Sequence, residues 1–169
     1  MTENNDLKIL EEELYGINNA VSKTKERLKI VSEVELLLTS IQKLLIETKD
    51  ISLESYDTKY NNITENILKI KDIAKKIPYT ELNEFNKDEI IPQGAISYNF
   101  NNINYNSLIM SLPKSPPISK EQLNDFLQEV DTKNSNVLLQ ISQLKSYTKK
   151  LNLIIDNLSV TALACYLCS

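Results

Sequence analysis

Apolar residues recur along the first thirty positions at a spacing too regular for a loop and too wide for a strand. Leu7, Leu10, Leu14, Ile17, Val21, Thr24, Leu28 and Val31 follow one another at alternating steps of three and four, and charged residues fill most of the positions between them. That spacing predicts a long helix with one apolar stripe, the seam of a coiled coil. Gly16 falls inside the pattern and makes a weak point of about 1 kcal/mol relative to alanine, not an end. Past Val31 the stripe passes to Val34, Leu37, Ile41 and Leu44, so from Leu28 to Leu37 the steps are all three. Such a slip predicts a continuous helix that is overwound and bent near Ser32. The alternative is a true break, with Ser32 as N-cap and Glu35 completing a capping box.

The pattern pauses around KDISLES (49–55) and resumes through Tyr56, Tyr60, Ile63, Ile67, Ile70, Ala74 and Ile77. Pro78 closes this second helix, because proline pushes the preceding residue out of helical geometry. Two seams joined by a short connection predict a helical hairpin. Residues 79–118 break the pattern with prolines, asparagines and tyrosines. Short helical turns are expected at TELNEF and NSLIMSL, and an extended run at SLPKSPP. Ile90, Ile91, Ile96, Phe100, Ile103, Leu108, Ile109 and Met110 are apolar enough that part of this segment should pack on a helix or a partner.

Ser119 and Gln122 form a capping box that opens the third helix, with Ile118 placed to staple onto Leu123. Its stripe runs through Leu123, Leu127, Val130, Asn134, Val137, Ile141, Leu144, Thr148, Leu151, Ile155, Leu158, Ala162 and Cys165, alternating four and three without a slip. A helix of this extent is about 70 Å long. Asn134 is a polar residue in the seam, of the kind that fixes register or partner number. The expectation is therefore an all-α protein: an elongated three-helix coiled-coil bundle or hairpin with a long asparagine- and proline-rich connection. Its parts are an N-terminal hairpin over 1–78, the connection over 79–118 and the long helix over 119–169, together one structural unit.

Composition narrows what such a protein does. The 169 residues carry 19 basic and 23 acidic side chains, two glycines and no histidine or tryptophan. Scarce glycine argues against the tight hairpins of an all-β fold. Arg27 is the sole arginine and the net charge is −4, so the stripe and clamps that hold nucleic acid are missing. Without histidine the common general base is absent. No glycine-rich phosphate loop occurs, and no acid occupies a stripe position. The reading is of a protein that is not an enzyme and takes no cofactor, metal or small-molecule substrate. Cys165 and Cys168 form a C-x-x-C with no second pair to complete a zinc site, nor do they make a prenylation box. Glu11, Glu12 and Glu13 read as a solvated face beside a helix N-terminus. The N-terminus lacks a signal-peptide pattern, and Asp156 with two asparagines interrupts the apolar C-terminal run, which argues against a membrane role and for a cytoplasmic place.

If the third helix is longer than its neighbours, part of its stripe stays uncovered and becomes a protein interface. The residues expected there are Leu10, Leu14 and Tyr15 on the first helix and Leu127, Val130, Asn134, Val137, Ile141, Leu144, Leu151, Ile155 and Leu158 on the third.

Three passages bear on the identity of the partners. DLKILEEELYG (6–16), NNITENILKIKDIAKKIPYTELNEF (61–85) and SYTKKLNLIIDNL (146–158) resemble, in that order, the opening, middle and last helices of the dynactin subunit 3 family, the small coiled-coil shoulder subunit of dynactin. The tryptophans expected near both ends are missing, and the asparagine-rich connection has no counterpart. The resemblance implies a structural subunit supporting dynein-driven microtubule transport, associated with the cytoskeleton, with Leu10, Leu14, Tyr15 and Gly16 at a helix-packing junction. The alternative is a small subunit of Mediator or of a kinetochore linker, which would place the protein in the nucleus; INYNSLIMSLPKSPP (103–117) loosely resembles one Mediator family. A third reading is a helical membrane-active protein that uses its apolar tail.

Overall fold

A computed structural model of the protein describes residues 2–48, 53–76, 103–113 and 119–168. These residues are all-α: α1 spans Thr2–Thr48, α2 Leu53–Ala74, α3 Asn106–Ser111 and α4 Lys120–Cys168. No strand occurs among the described residues.

Helix α1 runs unbroken through Gly16 and Ser32. Glu35 accepts a hydrogen bond from the Thr39 hydroxyl at 2.9 Å, so its carboxylate is engaged one turn ahead and not at a capping box behind. The seam does not slip either. Ile17, Thr24, Val31, Leu38 and Leu45 are buried at strict seven-residue steps, and Ala20, Arg27, Val34 and Ile41 are buried at the same interval beside them. Leu28, Leu37 and Leu44, assigned to the stripe by spacing, are half-buried flanks. The apparent slip has a simple cause. Position 28 is leucine, but the positions seven and fourteen further on are Glu35 and Gln42, so the apolar residues change column while the helix keeps its phase.

A charged residue and a hydroxyl occupy this seam. Thr24 is fully buried, and its hydroxyl donates to the Ala20 carbonyl at 2.7 Å, which removes the cost of an unsatisfied group. Arg27 is fully buried as well. Spacing alone passed over it because an arginine is rarely enclosed.

The capping box that opens α4 is formed in both directions. The Gln122 backbone N–H donates to Ser119 Oγ at 3.1 Å, and the Ser119 N–H donates to Gln122 Oε1 at 3.0 Å. Ile118, the other half of the expected staple, lies outside the described residues. Along α4, Leu123, Val130, Val137, Leu144 and Leu151 are buried at seven-residue steps. Phe126, Gln140 and Tyr147 are buried beside them, while Leu127, Ile141 and Thr148 are half-exposed. The buried face is thus wider than a two-column seam.

By internal packing the chain falls into two compact units that cut across the 1–78, 79–118 and 119–169 division. Among the described residues, the first comprises 2–28 and 142–168, and the second 29–76 and 103–141. In the second unit Ile63, Ile67 and Ile70 of α2 are fully buried, with Tyr60 and Ala74 half-buried at the ends of the stripe. The Tyr56 side chain, Ile77 and Pro78 lie outside the described residues. Helix α3 packs against α2 and buries Tyr105, Leu108 and Leu112. The expected turn at NSLIMSL and its packing are thereby met in part, since Ile109 is half-buried and Met110 is 82% exposed. TELNEF, Ile90, Ile91, Ile96 and Phe100 lie outside the described residues.

Candidate protein-interaction surface

The second unit is tied together by side chains that reach between helices. Gln42 on α1 donates from Nε2 to Asp131 Oδ1 of α4 at 2.6 Å and accepts at Oε1 from Asn134 Nδ2 at 3.2 Å. Both ends of one amide are used, so a one-residue slide of either helix breaks both bonds. Asn134 therefore carries the seam polarity expected of it, and the residue that answers it is Gln42. Its own Oδ1 is buried without a hydrogen-bond partner among the described residues. A second tie joins α3 to α4, where the Ser107 hydroxyl donates to Glu129 Oε1 at 2.7 Å. That bond holds the Glu129 carboxyl below its ordinary range; partial burial opposes it, and Lys133 at 3.4 Å adds to it. Helix α4 thus meets α1 on one side and α3 on another, which explains why its buried face is three columns wide.

In the first unit, Tyr147 is buried, and loss of solvent raises its phenol above the ordinary value. Burial then ends abruptly. Leu151 is the last buried residue of α4, and Ile154, Ile155, Leu158 and Ala162 are only half-buried. On α1, residues 5–16 likewise contain no buried side chain; Leu7, Leu10 and Leu14 are half-exposed and Tyr15 is 77% exposed.

The twelve residues assigned to an interface by spacing therefore divide. Val130, Asn134, Val137, Leu144 and Leu151 are enclosed by the chain itself. Leu10, Leu14, Leu127, Ile141, Ile155 and Leu158 are partly open, and Tyr15 is open. Spacing missed the residues on the opposite side of α4. Residues 134–141 read NSNVLLQI without a charge, and within them Leu138 and Leu139 stand 49% and 58% exposed. The signal was present: paired leucines between two seam positions, where a solvated helix would carry lysine or glutamate.

An open cleft of about 280 Å³ in the second unit is lined by Lys71, Ala74, Lys75, Ile103, Asn104, Tyr105 and Asn106. It offers amines and amides but no carboxylate. Cys165 and Cys168 are exposed thiols, and among the described residues no group of three or more metal-ligating side chains converges.

No protein-family model matches the chain, and neither the curated proteins nor the solved structures contain a match.

Proposed function

We propose that the protein is a non-enzymatic structural subunit of a multi-protein helical assembly, in which its helices form a coiled-coil bundle and present one outer face to a partner. The observation that carries this reading is the uncharged stretch 134–141 with Leu138 and Leu139 open to solvent. The centre of a protein interface is depleted in charge and rich in large apolar side chains. Two adjacent exposed leucines without a neighbouring charge match that composition, and they sit on a helix whose inner face is already fixed by Gln42 and Ser107. The docking surface is therefore rigid before a partner arrives, which lowers the entropic cost of binding.

The resemblance of residues 6–16, 61–85 and 146–158 to the dynactin shoulder subunit suggests which assembly this is: one that supports dynein-driven transport, at the cytoskeleton. Affinity purification from the native cell tests both levels. Dynein and an actin-related filament are the expected companions, and Leu138→Glu with Leu139→Glu releases them while leaving helicity unchanged. Recovery of RNA polymerase or centromeric chromatin instead would move the subunit to another complex. Recovery of the same companions by the double variant would remove this face from the interface.

A further inference from the structure

The end of α4 differs from every other stretch of the molecule. One 18-residue window of this helix reaches a mean hydropathy of 1.5 with 6% of it buried, values met by residues 151–168, in which Leu151 is the single buried residue. Asp156 is the only charge in that window. From Leu158 to Cys168 no charge occurs, and the polar groups are the hydroxyls of Ser159, Thr161 and Tyr166.

Geometry narrows what can cover such a segment. At about 100° per residue, Leu153, Val160 and Leu167 lie on the side of the helix opposite Leu151, Ile155, Leu158 and Ala162. The second group is buried or half-buried, while the first is 55%, 68% and 79% exposed, with Leu163 and Tyr166 also open at 61% and 66%. A neighbouring helix covers a single stripe of about 100° and would leave the far side in water. A surrounding apolar medium covers all sides at once. The run from Leu158 to Cys168, which carries no charge, rises about 16 Å, about half the hydrocarbon thickness of a bilayer, so it enters the bilayer from one side without crossing it. The polar residues Asn152, Asp156 and Asn157 are all in the first two turns, near the entry side. Immediately before them stand Lys145, Lys149 and Lys150, and no acid occurs between Asp131 and Asp156. A cluster of lysines beside an apolar segment complements anionic headgroups.

We infer that residues 151–168 insert into a lipid bilayer and anchor the chain to an anionic membrane surface, with the lysines at 145, 149 and 150 on the headgroup side. This goes beyond the scaffold reading and uses a different surface from Leu138 and Leu139.

The test is flotation of the purified full-length chain with vesicles of phosphatidylcholine alone and of phosphatidylcholine mixed with phosphatidylserine. The chain should float with both, more fully with the anionic mixture, and resist extraction by alkaline carbonate. Val160→Asp and Leu163→Asp lie at exposed positions, so helicity by circular dichroism should stay as it is. Each should weaken membrane binding by roughly a hundredfold, as expected for an aspartate moved into hydrocarbon. Lys145→Glu with Lys149→Glu should lower binding to the anionic vesicles only. The inference is overturned if the wild-type chain stays at the bottom of the gradient, or if the aspartate variants float as it does. It is also overturned if light scattering shows a dimer that the aspartates dissociate while no vesicle is bound, for then a second copy covers the tail. None of these results bears on whether Leu138 and Leu139 hold a protein partner.

Discussion

Between Leu123 and Leu151, α4 meets seven-residue columns of burial with closed packing, whereas from residue 152 onward the same helix continues with as much apolar surface and no buried residue. Neither stretch contains glycine or proline, but residues 123–151 carry seven charged side chains and residues 152–168 only Asp156. The two also differ in company. In the second unit α4 is engaged by Gln42 from one side and Ser107 from another, and α2 and α3 contribute their own buried residues. Periodicity records which face of a helix is apolar, and burial requires in addition that something else be there to cover it.

Truncations to alanine in the two stretches should break apart most clearly. Phe126→Ala empties a fully buried site and should cost about 3–5 kcal/mol. Leu163→Ala, at an exposed site, should change stability by less than about 0.5 kcal/mol in solution. Urea denaturation followed by circular dichroism measures both, and a similar cost for the two would mean that the tail is covered in solution.

Arg27 sharpens the comparison within the buried columns. Arg27→Ala removes a fully enclosed side chain with its charge and should cost about 3 kcal/mol. Arg27→Met retains the apolar stem that packs along the seam, so it should recover more than half of that loss in the same titration. Equal destabilisation by both would assign Arg27's contribution to its guanidinium and not to its packing.

A smaller effect is expected where α4 begins. Ser119→Ala deletes the hydroxyl that accepts from the Gln122 N–H and should cost about 1 kcal/mol. Amide hydrogen exchange should show the loosening confined to the first turns, with residues near Leu144 unaffected.

The smallest effect is a pH dependence of the α3 tie. The Glu129 carboxyl is held below its ordinary range by the Ser107 hydroxyl. Because its folded-state value is the lower one, its contribution is complete above the ordinary carboxylate value and is lost as pH falls through the folded value. Ser107→Ala should move the Glu129 titration upward, as read from its side-chain carbon resonance, and should remove that acid-side loss. An unchanged titration would shift the cause to Lys133.

Much of this organisation is legible in the sequence. The helices α1, α2 and α4, the capping box at Ser119, the short helix at NSLIMS and the place of Asn134 on the buried face all follow from residue types at helical spacing. Two things did not. The continuity of phase through residue 31 was hidden by Glu35 and Gln42, polar residues in a column that leucine had occupied, and by Arg27, a charge in a column that is buried. The additional buried residues of α4 in the second unit, Phe126 and Gln140, depend on neighbours whose positions are not encoded in α4's own periodicity. The candidate surface was half legible: spacing located the apolar inner face, but which residues stay open depends on which ones the chain covers by itself.

The strict sevenfold spacing of Leu123, Val130, Val137, Leu144 and Leu151 also restricts how this helix can change in length. One added residue between any two of them would turn everything downstream by about 100° and carry every later anchor off the inner face. A whole added heptad would turn it by only about 20° from its former heading. Lengthening is therefore tolerated there by a whole heptad and not by a single residue.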